Sequence, residues 1–171
     1  MRLLLISLIA TFVFSACNQA PPTPTVEHSK VYSKEAQFEA VRDDLKTAIE
    51  NRGLVIDHTS HIHNMLTRTG KDLETITPVY VDAESYIFCS AVISRNTMEA
   101  DPHNIVFCPY VVAVYTTVQE PNKVHVAYRH PQPVGNPASR DSLVAVDRLL
   151  DGIAREALNL PAVPVSAKPA L

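Results

Sequence analysis

Hydrophobic residues recur along the chain at the two spacings that predict helices and strands. A helical spacing predicts a first helix between an N-cap at Ser33 and Gly53. Its apolar stripe consists of Phe38, Val41, Leu45, Ala48 and Ile49. Asn136 and Pro137 predict the start of a longer final helix. The apolar stripe of that helix consists of Leu143, Val146, Leu149, Leu150, Ile153 and Ala157.

Runs of β-branched and aromatic residues mark the predicted strands. The longest run, residues 105–118, predicts a buried central strand, which the turn at Pro121-Asn122 joins to residues 123–128 as a hairpin. Shorter strand-like segments occur at residues 31–32, 54–56, 79–81 and 86–89.

Two short helices are predicted between these strands. The first is expected to begin after Ser60 as N-cap and to end at Gly70, and the second covers residues 94–100. The core-facing positions of the first are Ile62, Met65 and Leu66. The order β-α-β-α-β-α-β-β-α predicts a single α+β domain, with a mainly antiparallel sheet and two main helices packed on one face.

The N-terminal segment has the composition of an export signal. Arg2, the apolar residues 3–14 and Ser15-Ala16 before Cys17 match the charged region, hydrophobic region and cleavage site of a signal peptide. The apolar run is shorter than the roughly 20 helical residues that span a bilayer. Residues 13–17 resemble the bacterial lipobox, which implies cleavage before Cys17 and its acylation, for example with palmitate.

These features divide the chain into four parts. Residues 1–16 are the predicted signal, and residues 17–26 are a lipidated cysteine with a proline-rich tether. Residues 27–159 are the domain, and residues 160–171 are a loose tail. Asn18 after the cysteine resembles the outer-membrane address of lipoproteins in two-membrane bacteria. We therefore expect a cell-envelope protein, anchored to the outer membrane by lipid and facing the periplasm.

The composition argues against several classes of function. Hydrophobic residues make up 46% and charged residues 19% of the chain, which is typical of a globular domain. The net charge is −3, and removal of Arg2 with the signal leaves 14 basic against 18 acidic side chains. This balance argues against a nucleic-acid partner. Four scattered glycines do not form a phosphate-binding loop, so no cofactor is expected.

Ten short segments carry a resemblance to a known family. They are Asn51-Arg52-Gly53-Leu54-Val55-Ile56, Ser60-His61, Met65-Leu66, Arg68-Thr69, Phe88-Cys89-Ser90-Ala91, Ser94-Arg95, Met98-Glu99-Ala100-Asp101-Pro102, Asn104-Ile105, Phe107-Cys108-Pro109-Tyr110 and Tyr128-Arg129. Over residues 35–158 the chain resembles domain-of-unknown-function family 302. The resemblance implies a sheet with two main helices on one side, and no activity. Proline usually precedes the cysteine in this family, so the order Cys108-Pro109 indicates one branch, here a lipoprotein branch.

Cys89 and Cys108 remain when Cys17 is assigned to lipid. An even pair of cysteines in an oxidising compartment favours a disulfide. However, parallel strands joined by the helix at residues 94–100 would place one cysteine at a strand's exit and the other near a strand's entry, separating them. A disulfide, two inert buried thiols and a reactive or metal-binding pair therefore all stay open.

Histidines cluster at His58, His61 and His63, which raises the question of a metal site. His61 and His63 share a face only on a strand, whereas His58 and His61 share one only on a helix. This spacing favours exposed or capping histidines, and no metal is assigned. Hydrolase chemistry is disfavoured because no Gly-x-Ser-x-Gly segment is present.

We expect any functional site to lie where Cys89-Ser90, Ser94-Arg95 and residues 107–110 converge. The start of a helix there favours an anionic ligand, and an arginine can add a bidentate donor. The candidate ligand-binding residues are Ser90, Arg95, Tyr110, His61 and His103. The predicted function is non-catalytic binding of a small anionic ligand or an envelope protein. The alternative is a thiol-redox or metal-handling protein that uses Cys89, Cys108 and nearby histidines.

Lipid attachment at Cys17 is directly testable. Labelled fatty acid should be incorporated into the wild-type chain and not into Cys17→Ala, and the variant should leave the membrane fraction. The competing interpretation is an ordinary signal cleaved after Ala16 or Ala20, with Cys17 unmodified. Labelling and fractionation that are both unchanged in Cys17→Ala would contradict lipidation.

Overall fold

The computed structural model describes residues 28–74 and 77–162. The predicted signal and the predicted tether with Cys17 therefore lie entirely outside the described residues, as do residues 163–171 of the predicted tail. The elements are β1 (Ser29–Glu35), α1 (Phe38–Glu50), β2 (Ile56–Ser60), α2 (Ile62–Asp72), β3 (Tyr80–Phe88), α3 (Ala91–Ala100), a 3-10 helix (Pro102–Phe107), β4 (Tyr110–Thr117), β5 (Lys123–Arg129) and α4 (Pro137–Ala157). Within these residues, no helix is both long and apolar enough to cross a membrane.

The five strands form one sheet in the order β1-β5-β4-β3-β2, and every neighbouring pair is antiparallel. β4 lies at the centre, as its apolar sequence predicts, and it forms a hairpin with β5. Helices α1 and α4 contact each other and the sheet. The predicted α+β class with a mainly antiparallel sheet is confirmed.

The two faces of the sheet differ in burial because side chains alternate along each strand. Alternate residues of β4 and β5 pack with α1 and α4 in one core and are fully or almost fully buried: Val112, Val114, Val124 and Val126. The intervening residues lie on the opposite face, which we call the open face. There the ring of Tyr115 stacks on His125 with centroids 5.0 Å apart and meets Tyr80 edge-on at 5.5 Å.

The apolar stripes of both long helices are predicted correctly. All five stripe residues of α1 are buried, and in α4 only Leu149 is partly exposed. The predicted cap of α4 is also present, because Asn136 Oδ1 accepts a hydrogen bond from the Ser139 N–H at 2.8 Å. Amphipathic periodicity and N-cap chemistry agree at this helix, which fixes both its start and its buried face.

Two of the predicted N-caps are wrong. Ser33 lies within β1 opposite His125, and Ser60 ends β2 opposite Ser85. Their backbone groups belong to the sheet, so α1 begins after Gln37 and α2 after His61. Gly53 has a positive φ of 69° but lies three residues beyond the end of α1.

The predicted strand at residues 105–118 begins too early. Asp101 Oδ1 accepts a hydrogen bond from the His103 N–H at 2.9 Å, and Pro102 follows as the first residue of a 3-10 helix. Ile105 and Val106 are consequently 59% and 74% exposed. Buried Asn104 holds this helix in place by donating hydrogen bonds to the Thr97 carbonyl at 3.0 Å and Ser139 Oγ at 2.8 Å.

Four further predictions are corrected. Helix α2 has no buried residue, so its predicted core positions are not in the core, and Met65 is 47% exposed. The helix also continues through Gly70 to Asp72. The segments 79–81 and 86–89, which the sequence predicts as separate strands, lie along one strand, β3, which begins at Tyr80 and ends at Phe88. Leu160, assigned to the loose tail, packs against the core.

The alternation of β4 predicts opposite responses to a charge on its two faces. Val114 is completely buried, so Val114→Asp should lower the free energy of unfolding by roughly 3 kcal/mol or more, because an unpaired carboxylate is then buried. Val111→Asp is the matched control, since Val111 is 42% exposed on the open face of the same strand. Urea denaturation measures both. Equal destabilisation of the two variants would contradict the assigned faces.

Candidate functional site

The structure joins Cys89 and Cys108 in a disulfide, with their Cα atoms 6.5 Å apart. Cys89 follows β3 and Cys108 precedes β4, and the neighbouring residues Phe88 and Tyr110 are register partners. The strands are antiparallel, so the end of one meets the start of the other. The parallel arrangement considered from the sequence is wrong, and with it the reason to expect separated cysteines.

Ser94 connects helix α3 to this disulfide. Its Oγ lies 3.0 Å from the Tyr110 hydroxyl and donates a weak hydrogen bond to Cys108 Sγ at 3.6 Å. Tyr110 is 3% exposed, and burial raises the pKa of its phenol, which therefore stays neutral. Ser94 therefore does meet residues 107–110, as predicted, and the contact is a packed junction of hydrogen-bonded side chains.

Ser90 and Arg95 have local roles at α3. The Ser90 hydroxyl accepts a hydrogen bond from the Ile93 N–H at 3.4 Å and so caps the helix. Arg95 forms an ion pair with Glu99 at 2.7 Å, with its side chain 78% exposed. Among the described residues, neither side chain has a hydrogen bond or ion pair with Cys89, Cys108 or Tyr110. The described structure therefore joins neither side chain to the disulfide by a polar contact, and the anion site expected at the start of α3 stays a prediction.

The candidate histidines are dispersed over the surface. His61 Nδ1 lies 3.3 Å from Glu84 Oε1, and His63 Nδ1 lies 3.2 Å from the Tyr80 carbonyl. His103 is exposed in the 3-10 helix, where its backbone N–H is the group that bonds to Asp101. Within residues 28–74 and 77–162, no three His, Cys, Asp or Glu side chains are close enough to hold a metal ion.

A polar cluster that was not predicted from the sequence lies between α4 and the β1–β5 edge of the sheet. Asp147 of α4 accepts hydrogen bonds from Lys30 Nζ at 2.8 Å and from the Tyr128 hydroxyl at 3.1 Å, and His130 Nε2 lies 3.6 Å away. Burial raises the pKa of Tyr128, and the negative charge of Asp147 raises it further. The phenol is thus held as a hydrogen-bond donor.

Asp151, one turn further along α4, repeats the arrangement. It accepts hydrogen bonds from the Tyr32 hydroxyl and from Arg155 Nε, the latter at 2.8 Å. The Arg155 guanidinium also lies over the Tyr32 ring, 4.6 Å from its centroid. The sequence does contain a signal for this cluster. Two aspartates four residues apart share one face of a helix, and here they lie beside its apolar stripe.

A cavity of about 380 Å³ opens where β4 begins and β5 ends, and we call it the wedge pocket. The pairing of β4 with β5 begins at Val112 and Tyr128 and continues toward the hairpin. The pocket lies at the opposite end of the two strands, where they are not paired. It is lined by His28, Ser29, Val106, Phe107, Pro109, Tyr110, Val111, Ala113, Ala127, Tyr128, Arg129, Pro131, Val146 and Leu150. Tyr110 alone among the predicted ligand-binding residues lines it.

The wedge pocket combines apolar walls with a small polar side. One wall comes from the end of the 3-10 helix and the start of β4, and α4 contributes Val146 and Leu150. The polar groups that line it are Arg129, His28 and Ser29, together with the two tyrosines. Such a lining, mostly apolar with a few polar groups, is typical of small-molecule sites.

The protein is an α+β domain in which an antiparallel sheet carries two long helices on one face, and a disulfide links the end of β3 to the start of β4. The family model "Domain of unknown function DUF302" matches residues 29–157. The chain therefore belongs to the DUF302 family. No curated protein matches it.

The fold is similar to a solved structure described as "Crystal structure of uncharacterized conserved protein DUF302 from Bacillus stearothermophilus". The TM-score is 0.63 at 11% identity, with 77% of this chain and 99% of that chain covered. At this identity the likeness supports the fold alone.

Removal of the disulfide should destabilise the domain. The bond closes a loop between residues 19 apart in sequence, so the double variant Cys89→Ala/Cys108→Ala should lose about 2–4 kcal/mol in free energy of unfolding. Urea melts measure the loss. A reductant should destabilise the wild-type chain and leave the double variant unchanged. Two free thiols from this pair in the unreduced native protein would contradict the disulfide.

Proposed function

We propose that this DUF302 protein is an envelope-anchored lipoprotein whose domain binds a small, largely apolar ligand in the wedge pocket. The observation that carries the proposal is the pocket itself. Its volume of about 380 Å³ falls within the roughly 300–1,000 Å³ of small-molecule sites. The anchor rests on the signal-like residues 1–16 and on the lipobox-like segment that ends in Cys17.

The walls of the pocket support an apolar ligand. Phe107, Pro109 and Val111 contribute from one side, and Val146 and Leu150 from α4. A ligand that covers such side chains gains about 25 cal/mol for each Å² of apolar surface removed from water. Val106 is 74% exposed and Val111 is 42% exposed, so apolar surface remains there for a ligand to cover.

The disulfide has a supporting role in this proposal. Cys108 lies between Phe107 and Pro109, which both line the pocket, and the bond ties this wall to the end of β3. A thiol-redox function is the weaker candidate, because no Cys-x-x-Cys segment is present and the hydrogen-bonding neighbour of Cys108 Sγ is the Ser94 hydroxyl.

Filling the pocket tests the proposed function. The neutral fluorescent dye N-phenyl-1-naphthylamine should bind the full chain, and Ala113→Phe should weaken its binding about ten-fold or more by occupying the cavity. Thr117→Phe is the matched control, because Thr117 lies on the same face of β4 outside the pocket. Fluorescence titration measures the dissociation constants, and thermal melts verify folding. Absence of dye binding, or equal binding by both variants, would contradict the proposal.

A further inference from the structure

We infer that the ligand of the wedge pocket is a single-chain amphipathic carboxylate, whose chain occupies the apolar cavity and whose head group pairs with Arg129. This inference rests on the proposed function and adds the chemical class of the ligand. The observation that carries it is the guanidinium of Arg129. This positive charge lies at the edge of an apolar cavity and has no counter-charge within the described structure.

Arg129 is the last residue of β5 and lines the pocket with an exposed side chain. Neither a hydrogen bond nor an ion pair joins its guanidinium to any of the residues that the structure describes. Lys30, on the neighbouring strand, differs in this respect because Asp147 neutralises it at 2.8 Å. The charge of Arg129 is therefore available to a ligand.

The other polar groups near Arg129 also suit an anion. Ser29 is the register partner of Arg129 across β1 and β5, and His28 precedes it; both residues line the pocket. A hydroxyl and an imidazole can each donate a hydrogen bond to a carboxylate oxygen. No aspartate or glutamate is among the described residues that line the cavity, so no acidic side chain there repels an anion.

A carboxylate fits this arrangement better than a larger anion. The guanidinium presents paired N–H donors at the spacing of the two carboxylate oxygens, and its single positive charge balances a single negative one. A neutral amphiphile would cover the same apolar walls but leave the arginine unpaired. A cationic amphiphile would be repelled. The predicted order of affinity is therefore carboxylate, alcohol, quaternary ammonium.

Competition between amphiphiles of equal chain length tests this order. The full chain carrying Cys17→Ser, which cannot be acylated there, is loaded with N-phenyl-1-naphthylamine and titrated with decanoate, 1-decanol, decyl phosphate or decyltrimethylammonium. Decanoate should displace the dye with about ten-fold higher affinity than decanol, as expected for a hydrogen-bonded charge pair. Arg129→Gln should abolish that preference, and Arg129→Lys should retain part of it.

Arg68→Gln is the matched control, because Arg68 is an exposed arginine of α2 outside the pocket, and this variant should keep the full preference. Equal affinities for decanoate and decanol, or a preference that survives in Arg129→Gln, would overturn the carboxylate assignment while leaving pocket binding intact. Tighter binding of decyl phosphate than of decanoate would overturn it as well. Failure of the dye and every amphiphile to bind would overturn the proposed function and this inference together.

Discussion

The antiparallel pairing of β3 with β4 is the constraint on which the other features of the domain depend. It requires the connecting chain to return to the end of the sheet that it has just left, so α3 and the 3-10 helix fill the connection. It brings Phe88 opposite Tyr110 and thereby places Cys89 within bonding distance of Cys108. One wall of the wedge pocket follows, because it consists of the end of the 3-10 helix and the residues that lead from it into β4.

Polar contacts attach α4 to the elements that this strand pairing positions. Asn104 fixes the 3-10 helix to α3 and α4, while Asp147 and Asp151 join α4 to the strand edge opposite β2. The pocket lies between these two sets of contacts, so its walls are held on both sides by hydrogen bonds to the same helix.

The sequence predicts those parts of the structure that depend on periodicity. The buried stripes of α1 and α4 and the central position of β4 follow from the spacing of apolar residues. Serines that can either cap a helix or end a strand are ambiguous, as Ser33 and Ser60 illustrate, because the choice depends on a strand elsewhere in the chain. Ile105 has the side chain of a strand residue, but the preceding Asp101-Pro102 sets a helical turn.

The candidate site was only partly predictable for a related reason. Ser94, Cys108 and Tyr110 are near one another in sequence, and their convergence was expected. The pocket instead joins residues from both ends of the domain, such as His28, Phe107 and Val146, which no local spacing relates. The sequence does not distinguish Arg129 from other surface arginines. Two properties of the folded chain do so: Arg129 borders an apolar cavity, and it has no counter-ion among the described residues.

The position of His28 and Ser29 in the pocket lining has a geometric consequence for a lipid-anchored chain. His28 is eleven positions after Cys17 in the chain, and even a fully extended chain covers at most about 3.6 Å per residue step. Acylation of Cys17 would therefore keep one rim of the cavity within roughly 40 Å of the bilayer surface. An anchored chain would therefore present this cavity next to the membrane and not throughout the bulk compartment.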